Sequence, residues 1–231
     1  MEEKYYHSSA AFLDMKKLII ICEGPTEQYF CKQILEPHFN NLGIQIEFPL
    51  ITHSNGGIVK WVHLMPQIVT NFTVDPTCFV TTFIDFYGME AHHDFPDWGT
   101  ALLEHNKAMK MNILELGMKN ALPVNIRANF IPFIQLHEFE ALVFSNYKAL
   151  EDFYEPREAD LPALKAICDA NPNPETINNS ILTAPSKRLQ NHIPRYDKKS
   201  HGIPICEAIG LATIRNVCSG FNQWVINLEG I

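Results

Sequence analysis

Acidic side chains follow three apolar runs of the chain, each short enough to be a buried strand. The runs, each with the acids that close it, are residues 18–22 with Glu23, residues 78–84 with Asp85, and residues 130–136 with Glu138 and Glu140. Ligand sites in open α/β sheets lie at the carboxyl ends of the strands, so we expect these carboxylates to meet at one sheet edge. Carboxylate oxygens gathered there suit a hard divalent cation, Mg²⁺ or Mn²⁺, and this indicates phosphate chemistry.

Two further questions concern which acids complete the cation site. Glu27 lies four residues after Glu23, and it either joins the site or is an exposed acid that stabilises a helix N-terminus. Glu138 and Glu140 would point in different directions on a regular helix, so both face the cation only if this segment is irregular. We expect Glu138 to be the ligand and Glu140 to be a packing or outer partner.

The order of predicted elements is typical of an α/β protein with a mostly parallel sheet and flanking helices. Strands are predicted at 18–22, 44–51, 78–85 and 130–136, and helices at 26–36 (ended by Pro37), 58–69 and 99–118. From Glu138 onward the pattern becomes helical, and prolines separate short segments. We therefore predict an N-terminal arm (1–16), an α/β core (17–145) and a helical C-terminal region packed on the core (146–231).

Charge and composition limit the functional classes. The net charge of −8 argues against a protein that coats nucleic acid non-specifically. One segment, residues 186–201, nevertheless carries five Lys and Arg residues against one Asp, as expected of an enzyme that grips a polyanion locally or of a solvated loop. The six cysteines lack Cys-x-x-Cys spacing and are expected to be reduced thiols, and His92-His93-Asp94 lacks zinc-ligand spacing. With no bilayer-spanning apolar stretch and no signal-peptide pattern, we expect a cytoplasmic protein without membrane partners.

Several other side chains are candidate phosphate contacts, each with a simpler structural alternative. Lys187 and Arg188 follow a helix-start pattern and would stabilise charge on a reacting phosphate, or they lie on a solvated surface. Gly56 and Gly57 would let the backbone approach a phosphate, or they form a turn that needs positive φ. His137 would shuttle a proton or contact phosphate, or it makes local hydrogen bonds.

The order of these motifs resembles a known fold. An apolar strand ending in Glu-Gly, a Gly-Gly turn and an apolar strand ending in Asp resemble the Toprim fold of topoisomerases, primases and overcoming-lysogenization-defect (OLD) family nucleases. Residues 22–27, 85–88 and 135–142, with a weaker match at 184–189, look more closely like the bacterial domain-of-unknown-function family 4276.

The resemblance implies roles for two of the acids. Glu23 would be the general acid or base beside the metal, and Asp85 would bind Mg²⁺. Tyr87 stands where Toprim enzymes have a second metal-binding Asp, and a phenol is a poor Mg²⁺ ligand at neutral pH. The chain is then either an inactive relative, or other acids among Glu27, Glu138 and Glu140 complete the site.

The resulting functional hypothesis is a Toprim-type, divalent-metal-dependent nuclease or phosphodiester hydrolase. Asp85 would hold the metal, Glu23 would transfer the proton, and Lys187 or a neighbour would neutralise developing charge. Because the chain lacks a Gly-x-x-x-x-Gly-Lys phosphate loop, a nucleotide-driven step would need a separately encoded ATPase; the resemblance implies such a partner in anti-phage defence. The alternatives are a degenerate Toprim scaffold that binds a protein or nucleic acid, and a small-molecule phosphotransferase or phosphatase that uses the same sheet edge, for which the chain lacks a phosphate-binding loop signature. The sequence is also compatible with a homo-oligomer.

Overall fold

A parallel β-sheet forms the centre of the computed structural model, which describes residues 15–52, 54, 57–177, 180 and 182–231. Its strands are β1 (Lys16–Cys22), β2 (Ile44–Glu47), β3 (Phe79–Asp85), β4 (Phe130–Ile131) and β5 (Ile134–Gln135). Strand β1 pairs with β2 and β3, while β3 pairs with both β4 and β5, and every pair is parallel. The predicted α/β class with a mostly parallel sheet is therefore confirmed.

Eleven α-helices of the described residues surround this sheet. They are α1 (Pro25–Phe30), α2 (Glu36–Asn41), α3 (Trp61–Val74), α4 (Trp98–Leu103), α5 (Lys107–Ala121), α6 (Tyr147–Phe153), α7 (Leu161–Ala170), α8 (Pro185–His192), α9 (Ile203–Ile209), α10 (Leu211–Val217) and α11 (Ser219–Glu229). Two π-helical turns (Cys31–Leu35 and Lys198–Gly202) and four 3₁₀ segments (Ala91–His93, Val124–Asn129, Phe139–Ser145 and Pro174–Thr176) complete the described helical structure.

Alternation along β1 separates the two hydrophobic layers. Leu18, Ile20 and Cys22 pack in the layer that contains α1, α2 and the C-terminal helices, whereas Ile19 and Ile21 pack against α3 and α5. Successive strand side chains point to opposite faces, so an unbroken apolar run is what a strand covered on both faces requires. The six cysteines, of which five are buried, are all free, as predicted.

Several predicted boundaries were wrong: the strand predicted at 44–51 ends at Glu47, the helix predicted at 58–69 spans Trp61–Val74, and three others differ for identifiable reasons. The helix predicted to stop at Pro37 continues to Asn41, because a π-helical turn precedes α2 and Pro37 lies in its first turn, where no amide donor is needed. The strand predicted at 130–136 is split at Pro132, and the Thr82 hydroxyl bonds the Phe133 amide and carbonyl, at 3.0 and 2.9 Å. The helix predicted at 99–118 is two helices, because Asn106 caps α5 by accepting a hydrogen bond from Met109 N.

The C-terminal region contains no strand among its described residues, in agreement with the sequence pattern. Its helices share one hydrophobic cluster with α1 and α2, so the part beyond residue 146 covers one face of the sheet. The division of the chain at residues 17 and 146 stays a prediction, and most of the expected arm lies outside the described residues. In the described ranges, no helix has both the length and the apolar character needed to cross a membrane.

Candidate functional site

Glu23 and Asp85 lie side by side where β1 and β3 end. The Glu23 amide continues the sheet by donating to the Phe83 carbonyl at 3.0 Å, and its carboxylate Oε2 accepts a hydrogen bond from the Asp85 amide at 2.8 Å. Asp85 Oδ2 accepts from the Phe139 amide at 3.3 Å, whereas Asp85 Oδ1 is buried and has no partner among the described residues. The pairing of parallel strands thus brings together the two acids that the sequence placed at one edge.

Glu138 and Glu140 both face the same cleft, contrary to the expectation for a regular helix. Glu138 has extended backbone (φ −112°, ψ 156°) and precedes the 3₁₀ segment Phe139–Ser145, so the two side chains are not related by α-helical rotation. Ser186, at the start of α8, fixes Glu138 by donating from its amide (2.9 Å) and its hydroxyl (3.0 Å). The irregular backbone is therefore what allows two nearby acids to share one site.

Glu27 lies in the first turn of α1, as the helix-terminal alternative predicted, but it is buried, so the expected exposure was wrong. Backbone amides of Gly24 and of Glu27 itself donate to its carboxylate. An acid at the third helical position that bonds the N-cap amide is one half of a capping box. Glu27 does not line the cleft, so it acts on the other acids through its charge and not as part of the cleft wall.

Lys198 is the cation that these acids share. Its pKa is raised: burial alone would lower it, but the charges of Glu140, Glu27, Asp85 and Glu23 outweigh that effect. In the described part of the chain Lys198 forms no direct ion pair with them, and its side chain keeps contact with solvent. The ammonium therefore balances the acidic edge through its field, in the manner of a bound cation.

The acids themselves hold protons more tightly than ordinary carboxyl groups. Burial raises the pKa of Glu27 and of Glu140 to about 7 in each case. Burial also raises the pKa of Asp85 well above its usual range, and the charges of Glu23 and Glu27 add to this effect. Burial likewise raises the pKa of Glu23, while the hydrogen bond from the Asp85 amide and the charge of Lys198 oppose this shift. Crowded, desolvated carboxylates of this kind favour either a bound cation or protonation.

The cleft over these acids has a volume of about 580 Å³ and is open and polar. Besides the acids, its lining includes the backbone of Gly57 and Gly88 and the side chains of Tyr87, His93, Ser186, Gln190, Tyr196, Asp197 and Lys198. Across the described residues, no group of three His, Cys, Asp or Glu side chains is already arranged to hold a metal ion. The site therefore has the ligand types for a cation but not a closed coordination shell.

Other residues predicted from the sequence lie elsewhere. Lys187 is exposed and donates to Gln190 Oε1 at 3.1 Å, and Arg188 donates from Nε to the Thr183 carbonyl at 2.9 Å; neither lines the cleft. Gly57 does line the cleft, whereas Gly56 lies outside the described residues.

His137 does not line the cleft. It is buried, its Nε2 lies 3.2 Å from Lys107 Nζ, and burial together with this ammonium lowers its pKa to about 4. A neutral imidazole bonded to a lysine matches the local hydrogen-bonding alternative that the sequence left open.

Sequence reasoning missed Lys198 and Tyr196 and gave little weight to His93. The basic segment 186–201 was recognised as a phosphate-binding candidate, but charge alone could not distinguish Lys198 from Lys187. Two local features place Lys198: Arg195 has left-handed backbone (φ 64°), and Asp197 Oδ1 accepts hydrogen bonds from the amides of Lys199 and Ser200, at 3.1 and 2.8 Å. Together they turn the chain into the π-helical turn that carries Lys198 over the cleft.

Comparison with known protein families gives a match that covers most of the chain. Residues 22–229 match the family described as Domain of unknown function (DUF4276). Neither a curated protein nor a solved structure gives a significant match. The matched range runs from the end of β1 to the end of α11 and so contains every acid of the cleft. The chain therefore belongs to the DUF4276 family.

Proposed function

We propose that this chain is a divalent-metal-dependent nuclease, or a closely related phosphodiester hydrolase, that acts on nucleic acid. The observation that carries the proposal is the convergence of Glu23, Asp85 and Glu140, three acids with raised pKa, on an open polar cleft at the carboxyl edge of a parallel sheet. Such perturbed carboxyl groups in a cleft are typical of functional sites.

The acids fit Mg²⁺ or Mn²⁺ in their chemistry. Both ions prefer carboxylate oxygens and need only one or two of them, with water and substrate phosphate as the remaining ligands. Asp85 Oδ1, which is buried without a partner, is the strongest candidate ligand, and Glu23 and Glu140 are next to it in the cleft. When bound, the ion would polarise the scissile phosphate and activate a water molecule.

The residues of the chain would then have separate tasks. Glu23 accepts a proton, because burial raises its pKa while the Asp85 amide fixes its Oε2 at 2.8 Å. Glu138 accepts two hydrogen bonds from Ser186 and so holds the start of α8 at the cleft wall. Lys198, and not the exposed Lys187, is the lysine placed to neutralise charge that develops on the phosphate.

We also propose that the chain is related to Toprim proteins and OLD family nucleases. In this proposal it is a cytoplasmic protein that works with a separately encoded ATPase in phage defence. Support for the fold comes from the strand order β2-β1-β3-β4, with Glu23 and Asp85 at the ends of neighbouring strands. Tyr87 is exposed at the cleft, two residues beyond Asp85, and Glu138 and Glu140 line the same cleft as further acids.

A cleavage assay tests the proposal. The purified chain is incubated with labelled single- and double-stranded DNA and RNA in Mg²⁺, in Mn²⁺ and in EDTA. Wild type should cleave at least one substrate only with a divalent ion, and Asp85→Asn and Glu23→Gln should each lower the rate by about 10²-fold or more. Glu207→Gln, which changes an exposed acid on α9, is the matched control and should cleave like wild type. Equal cleavage by the two site variants and the control would exclude this mechanism.

One observation favours a second function, a metal-independent scaffold that binds a protein or nucleic acid. Lys198 already supplies a positive charge to the acids. A scaffold of this kind would show no Mn²⁺ binding at the cleft, whereas the nuclease requires it.

A further inference from the structure

A second recess, of about 640 Å³, opens next to the acidic cleft. We call it the basic recess; the residues of its wall that matter here are Phe153, Tyr154, Arg157, Glu158, Arg195 and His201. The two cavities share one turn of the chain, because Arg195 lines the basic recess while Tyr196 and Lys198 line the cleft. Arg195 and Lys198 are three residues apart, so their Cα atoms are separated by at most about 11 Å.

The charges of the basic recess favour an anion. Arg157 and Arg195 are both exposed. Arg157 forms an ion pair with Glu155 (2.8 Å) in which both side chains are exposed to solvent. Exposed pairs of this kind contribute little, so Arg157 is free to turn to a stronger partner. The opposing acid is Glu158, whose Oε2 already accepts a hydrogen bond from the Glu155 amide at 3.0 Å.

The wall of the recess also contains polar groups that nothing in the described chain satisfies. Tyr154 is only 8% exposed, and neither its hydroxyl nor Nδ1 of His201 has a hydrogen-bond partner among the described residues. The two rings are in contact, with centroids 5.7 Å apart. A buried hydroxyl without a partner is costly, and an anionic oxygen would satisfy the Tyr154 hydroxyl.

The backbone at Arg195 is held in a conformation that non-glycine residues rarely adopt, with φ at 64°. This turn sends Arg195 into the basic recess and the next residue, Tyr196, into the cleft. Unfavourable backbone geometry of this kind is concentrated at functional positions.

We propose that the basic recess binds a backbone phosphate of a nucleic-acid strand whose scissile bond lies in the acidic cleft, an inference that rests on the proposed function. Because Arg195 and Lys198 belong to one turn of the chain, the two cavities are close enough for neighbouring parts of one strand to occupy both. Arg157 and Arg195 bind the phosphate, and the Tyr154 hydroxyl donates to it. The recess thereby sets the register of the strand over the acids without reading its sequence.

Binding is measured separately from cleavage, by fluorescence anisotropy of a fluorescein-labelled oligo-dT of about 12 nucleotides in EDTA over a range of salt concentrations. Arg157→Gln combined with Arg195→Asn should weaken binding by about tenfold or more, because two charge-assisted contacts are lost. It should also reduce the slope of log K against log salt by about 1.4, at about 0.7 per contact for a single strand. Asn at 195 keeps a residue that tolerates left-handed backbone.

The matched control is Lys110→Gln combined with Lys119→Gln, which removes the same charge from α5, on the other face of the sheet. This control should retain the wild-type slope. If the Arg157 and Arg195 variant does not fold, Tyr154→Phe replaces it and should weaken binding several-fold with unchanged thermal stability.

Equal affinity and slope in the recess variant and the control would overturn the phosphate subsite, even if wild type cleaves with divalent metal. Loss of binding in the recess variant alone, with no cleavage by wild type in any metal, would retain the subsite and reject the nuclease. Absence of oligonucleotide binding by wild type at low salt would reject both.

Discussion

Glu27→Gln tests whether the acidic edge is under electrostatic strain when no metal is bound. Glu27 is 4% exposed, and burial raises its pKa from an ordinary value of 4.5 to about 7. A carboxyl group whose pKa is higher in the folded state contributes stability that is complete below the unfolded value and is lost as the pH rises through the folded value. The protein without metal should therefore become less stable between about pH 5 and about pH 8.

The size of this effect follows from proton linkage. With the two pKa values above, a single group lowers the free energy of unfolding by about 2.5 kcal/mol between about pH 5 and about pH 8. Gln cannot ionise, so the variant loses this dependence. The stability of Glu27→Gln relative to wild type should consequently be about 2.5 kcal/mol more favourable at about pH 8 than at about pH 5. Any hydrogen bond to the Gly24 amide that Gln fails to reproduce has nearly the same cost at both pH values and cancels.

Urea denaturation in EDTA at the two pH values measures this difference directly. Glu207→Gln makes the same chemical change at an exposed position and should show little pH dependence relative to wild type. If the stability of Glu27→Gln relative to wild type changes by less than about 0.5 kcal/mol between the two pH values, or changes with the opposite sign, the acidic edge is not under electrostatic strain without metal.

Two further predictions concern other contacts of the structure. Lys198→Met removes the cation whose charge the acids share, so the midpoint of thermal unfolding without metal should fall at about pH 8. Added Mn²⁺ should then raise this midpoint more in the variant than in wild type. Lys199→Met, one residue away, is the control and should change neither quantity. An unchanged response to Mn²⁺ in Lys198→Met would show that the field of the ammonium does not oppose binding of the ion. Trp224→Phe removes the 2.8 Å hydrogen bond to the buried Thr81 hydroxyl, and urea denaturation should show a loss of about 1–2 kcal/mol. A neutral substitution would mean that Thr81 finds another partner.

The central pair of acids was predictable because it depends on sheet geometry alone. Apolar runs identified β1 and β3, and parallel strands present their carboxyl ends at one edge, so Glu23 and Asp85 had to lie at the same edge if both runs were strands; the pairing of β1 with β3 makes them neighbours. The hydrogen bond from the Asp85 amide to Glu23 shows how close they are.

The rest of the cleft could not be predicted because it depends on irregular backbone. The positions of Glu138 and Glu140 follow from an extended residue before a 3₁₀ segment, which has no periodic sequence pattern. Lys198 is placed by a π-helical turn after a left-handed Arg195, so its distance along the sequence from the acids carried no information. Packing of the C-terminal helices on the sheet, and not local propensity, brings this turn to the cleft.

The most direct test of the central claim is Mn²⁺ binding measured by isothermal titration calorimetry at about pH 6.5 in two buffers of different ionisation enthalpy. Glu140 and Glu27 have pKa values of about 7 and are partly protonated at that pH, so a divalent ion bound among the acids must release protons. The account predicts saturable binding with release of about one proton or more per ion, and loss of binding in Asp85→Asn. Absence of Mn²⁺ binding, or binding without proton release that persists in Asp85→Asn, would contradict it.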